Sequence, residues 1–325
     1  MIDGPRAQLG QLSWAAREYA SRQRLRRQVL VARRMELPDL PRRRRRIGEV
    51  WGVAMVRDEI DVIGATLDHL LSQGVDRVLV ADNGSVDGTR ELLEERARSD
   101  RRVVVGVDPV VPYYQAEKMT WLAHRAWRAG ADWVIPFDAD EWWFAKSRGL
   151  AEHLRTRPES VIYAHLHHMV PREPDPADLA GAEFVLDATP GQVGKVAFRS
   201  HPLARVERGN HAVSRVGQVG SSLHIAHAIY RGPGQVMRKV RQGTQAAELT
   251  GDDISELTPH WASASVLGDD EVTGMWTRIS RGQPEPRLGF DAIGPMVHVR
   301  PGTWRTWDPG GVLDAGGSDD TRQSR

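Results

Sequence analysis

Two aspartates and a glutamate, at positions 138, 140 and 141, form the acidic cluster with the clearest chemical potential in this sequence. An extended backbone points the side chains of Asp138 and Asp140 the same way, because residues two apart share one face of a strand. Mg²⁺ prefers oxygen ligands and commonly binds through one or two carboxylates plus substrate phosphates. The pair therefore predicts a divalent-cation site that could neutralise a departing diphosphate. An Asp-x-Asp pattern also occurs by chance in solvated loops, so its place in the fold decides its meaning.

The acidic cluster follows the fourth strand of a regular predicted series. Apolar runs predict strands, and amphipathic stretches closed by Gly74 and Gly130 predict helices between them. Such alternation indicates βαβ units and an α/β fold, with a parallel sheet covered on both faces. Ligands bind beyond the carboxyl ends of such strands, and Asp58, Asp82 and Asp138 each follow a strand end. The predicted strands are residues 50–56, 77–81, 103–107 and 132–137, and the predicted helices are residues 60–72, 87–98 and 114–129.

The second half of the chain is less regular. We expect strands over residues 160–170, 193–198 and 222–228, and a helix over residues 235–248. His165, His167 and His168 have the spacing of metal ligands on the first of these strands. No other residue of the sequence is evident as the ligand that would complete a site, so we interpret the three histidines as structural. The last fifteen residues or so are expected to be disordered because the tail is rich in Gly, Pro and Asp.

Composition excludes several classes of protein. The chain of 325 residues contains no Cys, which excludes disulfide scaffolds, zinc ribbons and thiol nucleophiles. No apolar run reaches the ~18 residues that span a bilayer, and the N-terminus lacks the apolar core of a signal peptide. We therefore expect a cytoplasmic protein, associated with the inner face of the membrane if its basic N-terminus acts as a tether.

Positive charge is concentrated at the N-terminus. Residues 1–46 contain thirteen Arg and four acidic residues, although the net charge of the whole chain is only +1. The stretch 14–35 predicts a helix that packs its Leu25, Val29 and Leu30 side on the body of the protein. The run Arg42–Arg46 instead favours contact with an anionic membrane, since clustered basic residues are attracted to anionic lipid. Nucleic acid is not an expected partner.

Three segments carry a resemblance to a known family. They read VAMVRDE at residues 53–59, VADNGSVDGT at residues 80–89 and WVIPFDADEWW at residues 133–143. Their order and content resemble the family 2 glycosyltransferases, in the branch whose DxD motif reads Asp-Ala-Asp-Glu. The resemblance covers about residues 48–245. It implies the GT-A fold, with a Rossmann-like, mostly parallel sheet flanked by helices and preceded by a basic helical arm.

The resemblance also implies a division of the chain. Residues 1–47 would be the basic arm and residues 48–250 the glycosyltransferase domain. Within that domain, residues 48–143 would bind the nucleotide-sugar and residues 144–250 the acceptor, and residues 251–325 would be a C-terminal extension.

Roles for individual residues follow from the same resemblance. Asp138 and Asp140 would bind Mg²⁺ or Mn²⁺ bridging the diphosphate, and His227 would complete the metal site, with His211 as the second choice. Where many relatives carry Asn-Glu, this chain carries Asp58-Glu59. The difference affects the expected contact with the nucleotide base. The residues expected to contact the nucleotide-sugar are Val56, Arg57, Glu59, Asp82, Asn83, Lys118 and Asp138.

The general base is open at this stage. An inverting transferase needs a carboxylate or a His to accept the proton of the acceptor hydroxyl. Glu141 is the first candidate, and Glu207 and His211 are alternatives. Glu141 could equally serve to orient the aspartates.

The implied activity is a metal-dependent, inverting transfer of a sugar, with UDP-sugars favoured as donors. The acceptor would be a hydroxyl on a glycan or a lipid-linked molecule, in cell-envelope or polysaccharide synthesis. One alternative is a phosphatase or phosphotransferase of the haloacid-dehalogenase type, although that class carries its DxD motif near the start of the domain. Another is a non-catalytic protein that binds polyanions or membranes, although such a protein does not need the acidic motifs.

Overall fold

A parallel sheet of four strands forms the centre of the molecule. The computed structural model describes residue 13, residues 21–250 and residues 268–310. The four strands lie in the order β3-β2-β1-β4 and pair in parallel. Their side chains are mostly buried because helices cover both faces of the sheet. The strands are β1 (Val50–Val56), β2 (Arg77–Asp82), β3 (Val103–Val107) and β4 (Trp133–Pro136), each within one residue of the predicted bounds.

The helices between these strands also lie where the sequence predicts them, to within three residues. Gly74 and Gly130 close two of them with φ of +82° and +107°, in the left-handed region that favours glycine. In residues 21–250 and 268–310, no helix has both the length and the apolar character to cross a membrane. The helices are α1 (Arg22–Arg34), α2 (Ile63–Ser72), α3 (Thr89–Ser99), α4 (Gln115–Ala129), α5 (Leu150–Arg155), α6 (Pro233–Glu248) and α7 (Asp269–Ile279).

Six further strands enlarge the sheet to ten. Strand β8 pairs antiparallel with β4, and β6, β7 and β10 follow in that order, each antiparallel to its neighbour. Strand β9 pairs in parallel with β6 and antiparallel with β5. The six strands are β5 (Glu141–Ala145), β6 (Val161–Pro171), β7 (Phe184–Asp187), β8 (Lys195–Arg199), β9 (Val219–His227) and β10 (Met296–Val299).

Strand β5 fixes the acidic cluster in place. Its pairing with β9 sets Glu141 opposite His227. The backbone N–H of Ala228 donates to the carbonyl of Asp140 at 2.9 Å, which ties the loop to the end of β9. The Thr66 hydroxyl of α2 donates to the carbonyl of Ala139 at 2.5 Å. The loop between β4 and β5 is therefore held from both sides.

The basic arm packs on the body through a different face from the one expected. Val31 and Met35 of the arm are 0% and 5% exposed and join a core with Trp51 and Met119. The expected packing of Leu25, Val29 and Leu30 is wrong, because these side chains are 53%, 43% and 40% exposed. Val31 and Met35 lie one helical turn apart and face the body. Leu25, Val29 and Leu30 therefore lie on the opposite side of the helix. Residues 14–20 of the predicted helix lie outside the described residues.

A C-terminal segment crosses the second half of the sheet. The backbone N–H of Trp307 donates to the carbonyl of Ala145 at 2.9 Å. Its ring stacks on His224 at a centroid distance of 4.8 Å and lies beside Phe144 of β5. This segment therefore covers the outer side of the β5–β9 pair. The tail that the sequence predicts to be disordered, residues 311–325, lies outside the described residues.

Candidate functional site

A cleft opens at the carboxyl edge of the parallel sheet, where β1 and β4 lie side by side. The strand order reverses here, because β2 and β3 lie on one side of β1 and β4 lies on the other. In open α/β sheets, ligands bind at such a switch point. The cleft has a volume of about 290 Å³. Its charged and amide lining residues are Arg57, Asp58, Glu59, Asn83, Gln115, Asp138, Asp140, His227, Gln235, Arg238, Lys239 and Gln242.

Asp138 lies at the surface of the cleft with its carboxylate already bound. Its Oδ1 accepts a hydrogen bond from the Asn210 side chain at 3.1 Å, and its Oδ2 accepts one from the Lys195 ammonium. The Asp138 side chain is 34% exposed, whereas that of Lys195 is 5% exposed. Lys195 therefore holds Asp138 from inside the protein and leaves its outer side open to the cleft.

Glu141 lies beneath Asp138 and is completely buried. Its Oε1 is 2.7 Å from the Lys195 ammonium. Its Oε2 accepts from the backbone N–H of Asp138 at 3.1 Å and from the indole N–H of Trp143 at 3.3 Å. Burial raises the pKa of Glu141, although the adjacent Lys195 acts in the opposite direction. The structure thus places this carboxyl group under the loop as a support.

Asp140 is buried among cations. Its Oδ2 accepts from Lys239 at 2.6 Å and from Arg231 at 3.5 Å, and its Oδ1 is 3.3 Å from Nε2 of His227. Burial alone would raise the pKa of Asp140, but Lys239, His227 and Arg231 together hold that pKa well below its usual range. Asp140 is therefore ionised at neutral pH.

Arg231 links the acidic loop to the first strand's loop. It is 1% exposed, and its guanidinium pairs with Asp61 at 2.6 Å and with Glu59. The Ala228 carbonyl accepts a further hydrogen bond at 3.1 Å. A buried guanidinium with these acidic partners fixes Glu59 next to Asp140, since its rigid fork holds several acceptors at once.

The loop after β1 is shaped by Asp58, whose φ of 54° lies in the left-handed region. Its carboxylate accepts from the backbone N–H of Val86 at 2.7 Å and from the Gln242 side chain of α6 at 2.6 Å. Asp58 therefore joins the loops after β1 and β2 to helix α6 and closes one end of the cleft.

Asn83 and Lys118 shape the loop after β3. The Asn83 amide donates to the carbonyls of Asp108 and Val110 at 2.9 and 3.0 Å. The Lys118 ammonium is 2.7 Å from the Asp108 carboxylate and also donates to the Val110 carbonyl. Burial lowers the pKa of Lys118, while Asp108 stabilises its charge. Lys118 is thus part of a buried pair and not a free cation of the cleft.

The structure brings most of the predicted site residues together. Asp82 is buried behind the cleft, where both carboxylate oxygens lie 3.4 Å from the backbone N–H of Ser85. Lys118, Glu141 and His211 also lie outside the lining. The predicted residues that do line the cleft are Val56, Arg57, Glu59, Asn83, Asp138, Asp140 and His227.

His211 follows the short turn that carries Asn210. Its Nδ1 is 2.8 Å from the Gly194 carbonyl, which can only accept, so Nδ1 carries the proton and Nε2 is the basic nitrogen of the neutral ring. Desolvation and the nearby Lys195 lower the pKa of His211. His211 is therefore neutral at pH 7 and able to accept a proton.

The three histidines of β6 lie away from the cleft lining, and the described contacts are structural. His167 contacts His224 with ring nitrogens 3.1 Å apart, and its other nitrogen lies 3.0 Å from the Asp187 carbonyl. His165 contacts the Ser221 hydroxyl at 2.8 Å. His168 lies beside His227, with ring centroids 5.2 Å apart.

The sequence analysis missed the cations that hold the acidic loop. Lys195, Arg231 and Lys239 belong to none of the motifs on which the sequence analysis relied. One signal was available: the chain has only four lysines. Three of them, Lys118, Lys195 and Lys239, pair with acidic residues at the carboxyl edge of the sheet.

Asp140 and His227 are the donors best placed for a metal ion. Their facing atoms are a carboxylate oxygen, a ligand type that suits Mg²⁺ and Mn²⁺, and an imidazole nitrogen 3.3 Å away. Within the described ranges, no three His, Asp or Glu side chains are placed to hold a metal. Asp138 also lines the cleft, with one carboxylate oxygen bound by Lys195 and the other by Asn210, and its role as a further ligand stays a prediction. The residues therefore fit an ion held by two protein donors and completed by substrate oxygens.

Part of the chain that forms the cleft matches the model of a known protein family. Residues 53–179 match the model of glycosyl transferase family 2. The match covers less than half of the chain but includes the second half of β1, strands β2 to β6 and the whole acidic loop. With the strand order described above, it makes the architecture a GT-A type α/β fold, as the sequence predicts. The family 2 segment supports a role in glycosyl transfer. No curated protein matches the chain.

Solved structures similar to the chain include glycosyltransferases of low sequence identity. A mannosyltransferase from Pyrobaculum calidifontis, in complex with GDP-Man and Mn²⁺, is 15% identical, with a TM-score of 0.38 over 86% of this chain and 88% of that one. TarS of S. aureus is 10% identical, with a TM-score of 0.37 over 72% of this chain. This chain spans 43% of the length of that TarS structure. A TarS fragment, residues 1–349 in complex with UDP, is also 10% identical, with a TM-score of 0.36 over 72% of this chain and 71% of the fragment.

Proposed function

We propose that the protein transfers a sugar from a nucleotide-diphosphate sugar to a hydroxyl acceptor, with inversion at the anomeric carbon. The observation that carries this proposal is the family 2 match, since it spans the segment that delivers Asp138 and Asp140 to the cleft. UDP-sugars are the favoured donors and a glycan or lipid-linked molecule the favoured acceptor, in cell-envelope or polysaccharide synthesis.

The donor would lie along the cleft, with its nucleotide toward the loop after β1 and its diphosphate toward Asp140. Arg57 and Asn83 line the first part, and Arg238 and Lys239 of α6 line the second. Basic side chains at this end favour the negative diphosphate. Asp138, held from below by Lys195, would accept hydrogen bonds from sugar hydroxyls on its open side.

Asp140 and His227 would hold a divalent cation, Mg²⁺ or Mn²⁺. When bound, such an ion supplies positive charge that stabilises the departing nucleoside diphosphate. The strongly acidic pKa of Asp140 keeps its carboxylate ionised and ready for this role. Arg231 and Lys239 keep the same carboxylate in position.

His211 is the proposed general base; it lies beside the cleft lining, is exposed, and directly follows Asn210, whose side chain binds Asp138 of the cleft. Nδ1 donates to the Gly194 carbonyl, so Nε2 is free of a proton, and the lowered pKa keeps the ring neutral. Glu141 is the weaker candidate because it is fully buried and both its oxygens have partners. We assign Glu141 to positioning of Asp138.

Isothermal titration with UDP and GDP, with and without Mn²⁺, tests the donor and metal assignments. We expect nucleotide binding that strengthens with Mn²⁺, and a loss of at least about tenfold in that binding for Asp140→Asn and His227→Ala. Asp68→Asn is the matched control, since Asp68 is 58% exposed and pairs with Arg96 on the surface. Binding of neither nucleotide would overturn the donor assignment, and Mn²⁺-independent binding would overturn the metal assignment.

Turnover tests the chemistry with a panel of nucleotide-sugars. Asp138→Ala together with Asp140→Ala should abolish sugar transfer, and a circular dichroism spectrum checks that the variant assayed is folded. His211→Ala should lower kcat far more than it raises KM, because a base acts in the transition state. Retained transfer by the double variant would contradict the proposal.

A further inference from the structure

Helix α1 presents an unusual outer face. The helix begins after Ser21, whose hydroxyl accepts from the backbone N–H of Arg24 at 3.4 Å. Val31 and the following Met35 fill the contact with the body. Leu25, Val29 and Leu30 are exposed on the outer side, where none of the described residues buries them. An apolar set of this kind on a surface helix indicates a binding surface.

The same face is strongly basic. Helix α1 contains six arginines and no acidic residue. Arg22, Arg26 and Arg33 are exposed around the three apolar side chains. Within residues 21–250 and 268–310, none of these three has an acidic side chain within ion-pair distance. Among the described residues, their guanidiniums therefore face solvent.

The basic run extends this surface along the body. The backbone of Arg43 donates to the carbonyl of Arg128 at 3.0 Å and that of Arg46 to the carbonyl of Gly130 at 2.8 Å, which lays the run across the end of α4. All five side chains of Arg42–Arg46 are exposed; Arg45 also pairs with Asp132 at 3.3 Å and Arg46 with Glu49 at 3.7 Å, and both stay largely in solvent. Helix α1 packs on α4 as well, so both basic segments are mounted on the same helix.

We propose that the outer face of α1, together with Arg42–Arg46, binds the surface of an anionic lipid bilayer. Arginine guanidiniums are attracted to anionic headgroups, and exposed Leu and Val side chains insert at the boundary of headgroups and acyl chains. A nucleic acid or an acidic polymer would use the arginines alone and gain nothing from the apolar side chains. The combination of both therefore favours the bilayer.

Helix α1 lies close to residues that line the cleft. The Arg27 guanidinium stacks on the Tyr114 ring at 4.7 Å, and its side chain donates to the Thr250 carbonyl at 3.2 Å. The neighbours of Tyr114, Tyr113 and Gln115, line the cleft. The bilayer would thus lie beside the rim of the cleft. This step rests on the proposed function, and it makes the acceptor a lipid-linked hydroxyl compound.

Co-sedimentation of the full chain with vesicles tests the proposal without any enzyme assay. The vesicles are phosphatidylcholine alone or phosphatidylcholine with about 30% phosphatidylglycerol. We expect binding only to the anionic vesicles, weakened in about 0.5 M NaCl, where surface charges are screened. The variant Arg22→Gln/Arg26→Gln/Arg33→Gln should lose about a hundredfold in affinity. The control variant Arg101→Gln/Arg281→Gln/Arg305→Gln removes three exposed arginines outside the arm and should bind like the wild type.

The apolar side chains separate a bilayer from other polyanions. Leu25→Ser/Val29→Ser keeps every charge and should weaken vesicle binding about tenfold. If this variant binds vesicles as well as the wild type does, or if heparin or an oligonucleotide binds as tightly as vesicles, the bilayer is the wrong partner. Absence of vesicle binding, or equal binding to neutral vesicles, also overturns the proposal.

The two proposals fail separately. Asp138→Ala/Asp140→Ala should keep full vesicle binding, since those residues lie in the cleft. A chain that binds vesicles but no nucleotide would refute the donor assignment and leave the membrane surface intact. A chain that binds nucleotide but no vesicles would refute the membrane surface alone.

Discussion

Lys195 is the residue on which the acidic loop depends most. Its ammonium lies between Asp138 and Glu141, and it is 5% exposed. Desolvation would lower the pKa of Lys195, but the two carboxylates raise it, so the ammonium is charged at all ordinary pH values. The Lys195 ammonium offsets the electrostatic repulsion between these two adjacent carboxylates, which water does not screen inside the protein.

Lys195→Met should therefore destabilise the fold strongly. Removing one partner of a buried ion pair leaves an uncompensated charge and costs about 3–5 kcal/mol. Unfolding in urea measures the loss. Lys146→Met, at an exposed lysine, is the control and should change the free energy of unfolding by less than about 0.5 kcal/mol.

Adding Glu141→Gln to Lys195→Met should recover part of the lost stability, because the double variant no longer buries an unpaired carboxylate. Equal stability of the single and double variants would show that Glu141 does not need the lysine. Such a result would refute the supporting role assigned to this pair.

The histidines under the C-terminal segment make stability depend on pH. Burial lowers the pKa of His167 to about 4 and that of His224 to about 3. In the unfolded chain a His titrates near pH 6.5, so below that pH the unfolded state binds more protons. Stability is therefore complete above about pH 6.5 and falls as the pH drops toward the folded-state values.

His224→Phe keeps a ring for Trp307 to stack on and removes one titrating group. We expect the decline in unfolding free energy between about pH 6.5 and 4 to become shallower by about 1.4 kcal/mol per pH unit. Urea unfolding at several pH values measures this slope. Parallel pH profiles for the variant and the wild type would contradict the assignment.

At the scale of elements, the arm is held to the body by a backbone pairing at the edge of the sheet. Glu36 and Val107 of β3 exchange two hydrogen bonds of 2.9 Å each. Gly106 lies against this pairing, and a Cβ there would come within 2.4 Å of the Glu36 carbonyl oxygen. The close approach of two backbones explains why a glycine occupies this position.

Gly106→Ala should loosen the arm. Such overpacking costs about 1–3 kcal/mol, which is at least about a fivefold increase in the open population. The rate of tryptic cleavage between residues 22 and 46 measures it. Gly268→Ala, where nothing lies within 4 Å of the added carbon, is the matched control and should be cleaved in the arm at the wild-type rate.

The central elements could be predicted from sequence because burial on both faces leaves a local signature. Strands β1 to β4 are short apolar runs, and glycines mark the ends of α2 and α4. Strand β5 was not predicted, since its apolar residues follow the acidic loop directly and its pairing with β9 joins residues about eighty positions apart. Long-range pairing leaves no local pattern to detect.

The candidate site could likewise be predicted only where its residues belong to local motifs. Asp138, Asp140 and His227 belong to motifs, and the structure brings them to one cleft. Lys195 could not be assigned because its role depends on β8 lying beside β4, a contact made only in the folded chain. Lys118 carries a charge that suggests a ligand, but burial beside Asp108 gives it a structural partner.

At the scale of the whole molecule, the arm belongs to the fold as well as to the surface. Val31 and Met35 fill part of the core behind β1 and α4. Deleting residues 1–46 should therefore lower the free energy of unfolding by about 3–6 kcal/mol, from two buried side chains at about 1.5–3 kcal/mol each. Thermal unfolding of the truncated chain measures the loss, and an unchanged Tm would show that the body is complete without the arm.

The distribution of lysines has a practical consequence for chemical labelling. Lys118 and Lys195 are buried, and the ammonium of Lys239 is bound to Asp140, whereas Lys146 is exposed. An amine-reactive fluorophore should then modify Lys146 and the terminal amine of the native protein well before any other position. Lys146 follows β5 directly, so a dye attached there would report on the strand that holds the acidic loop.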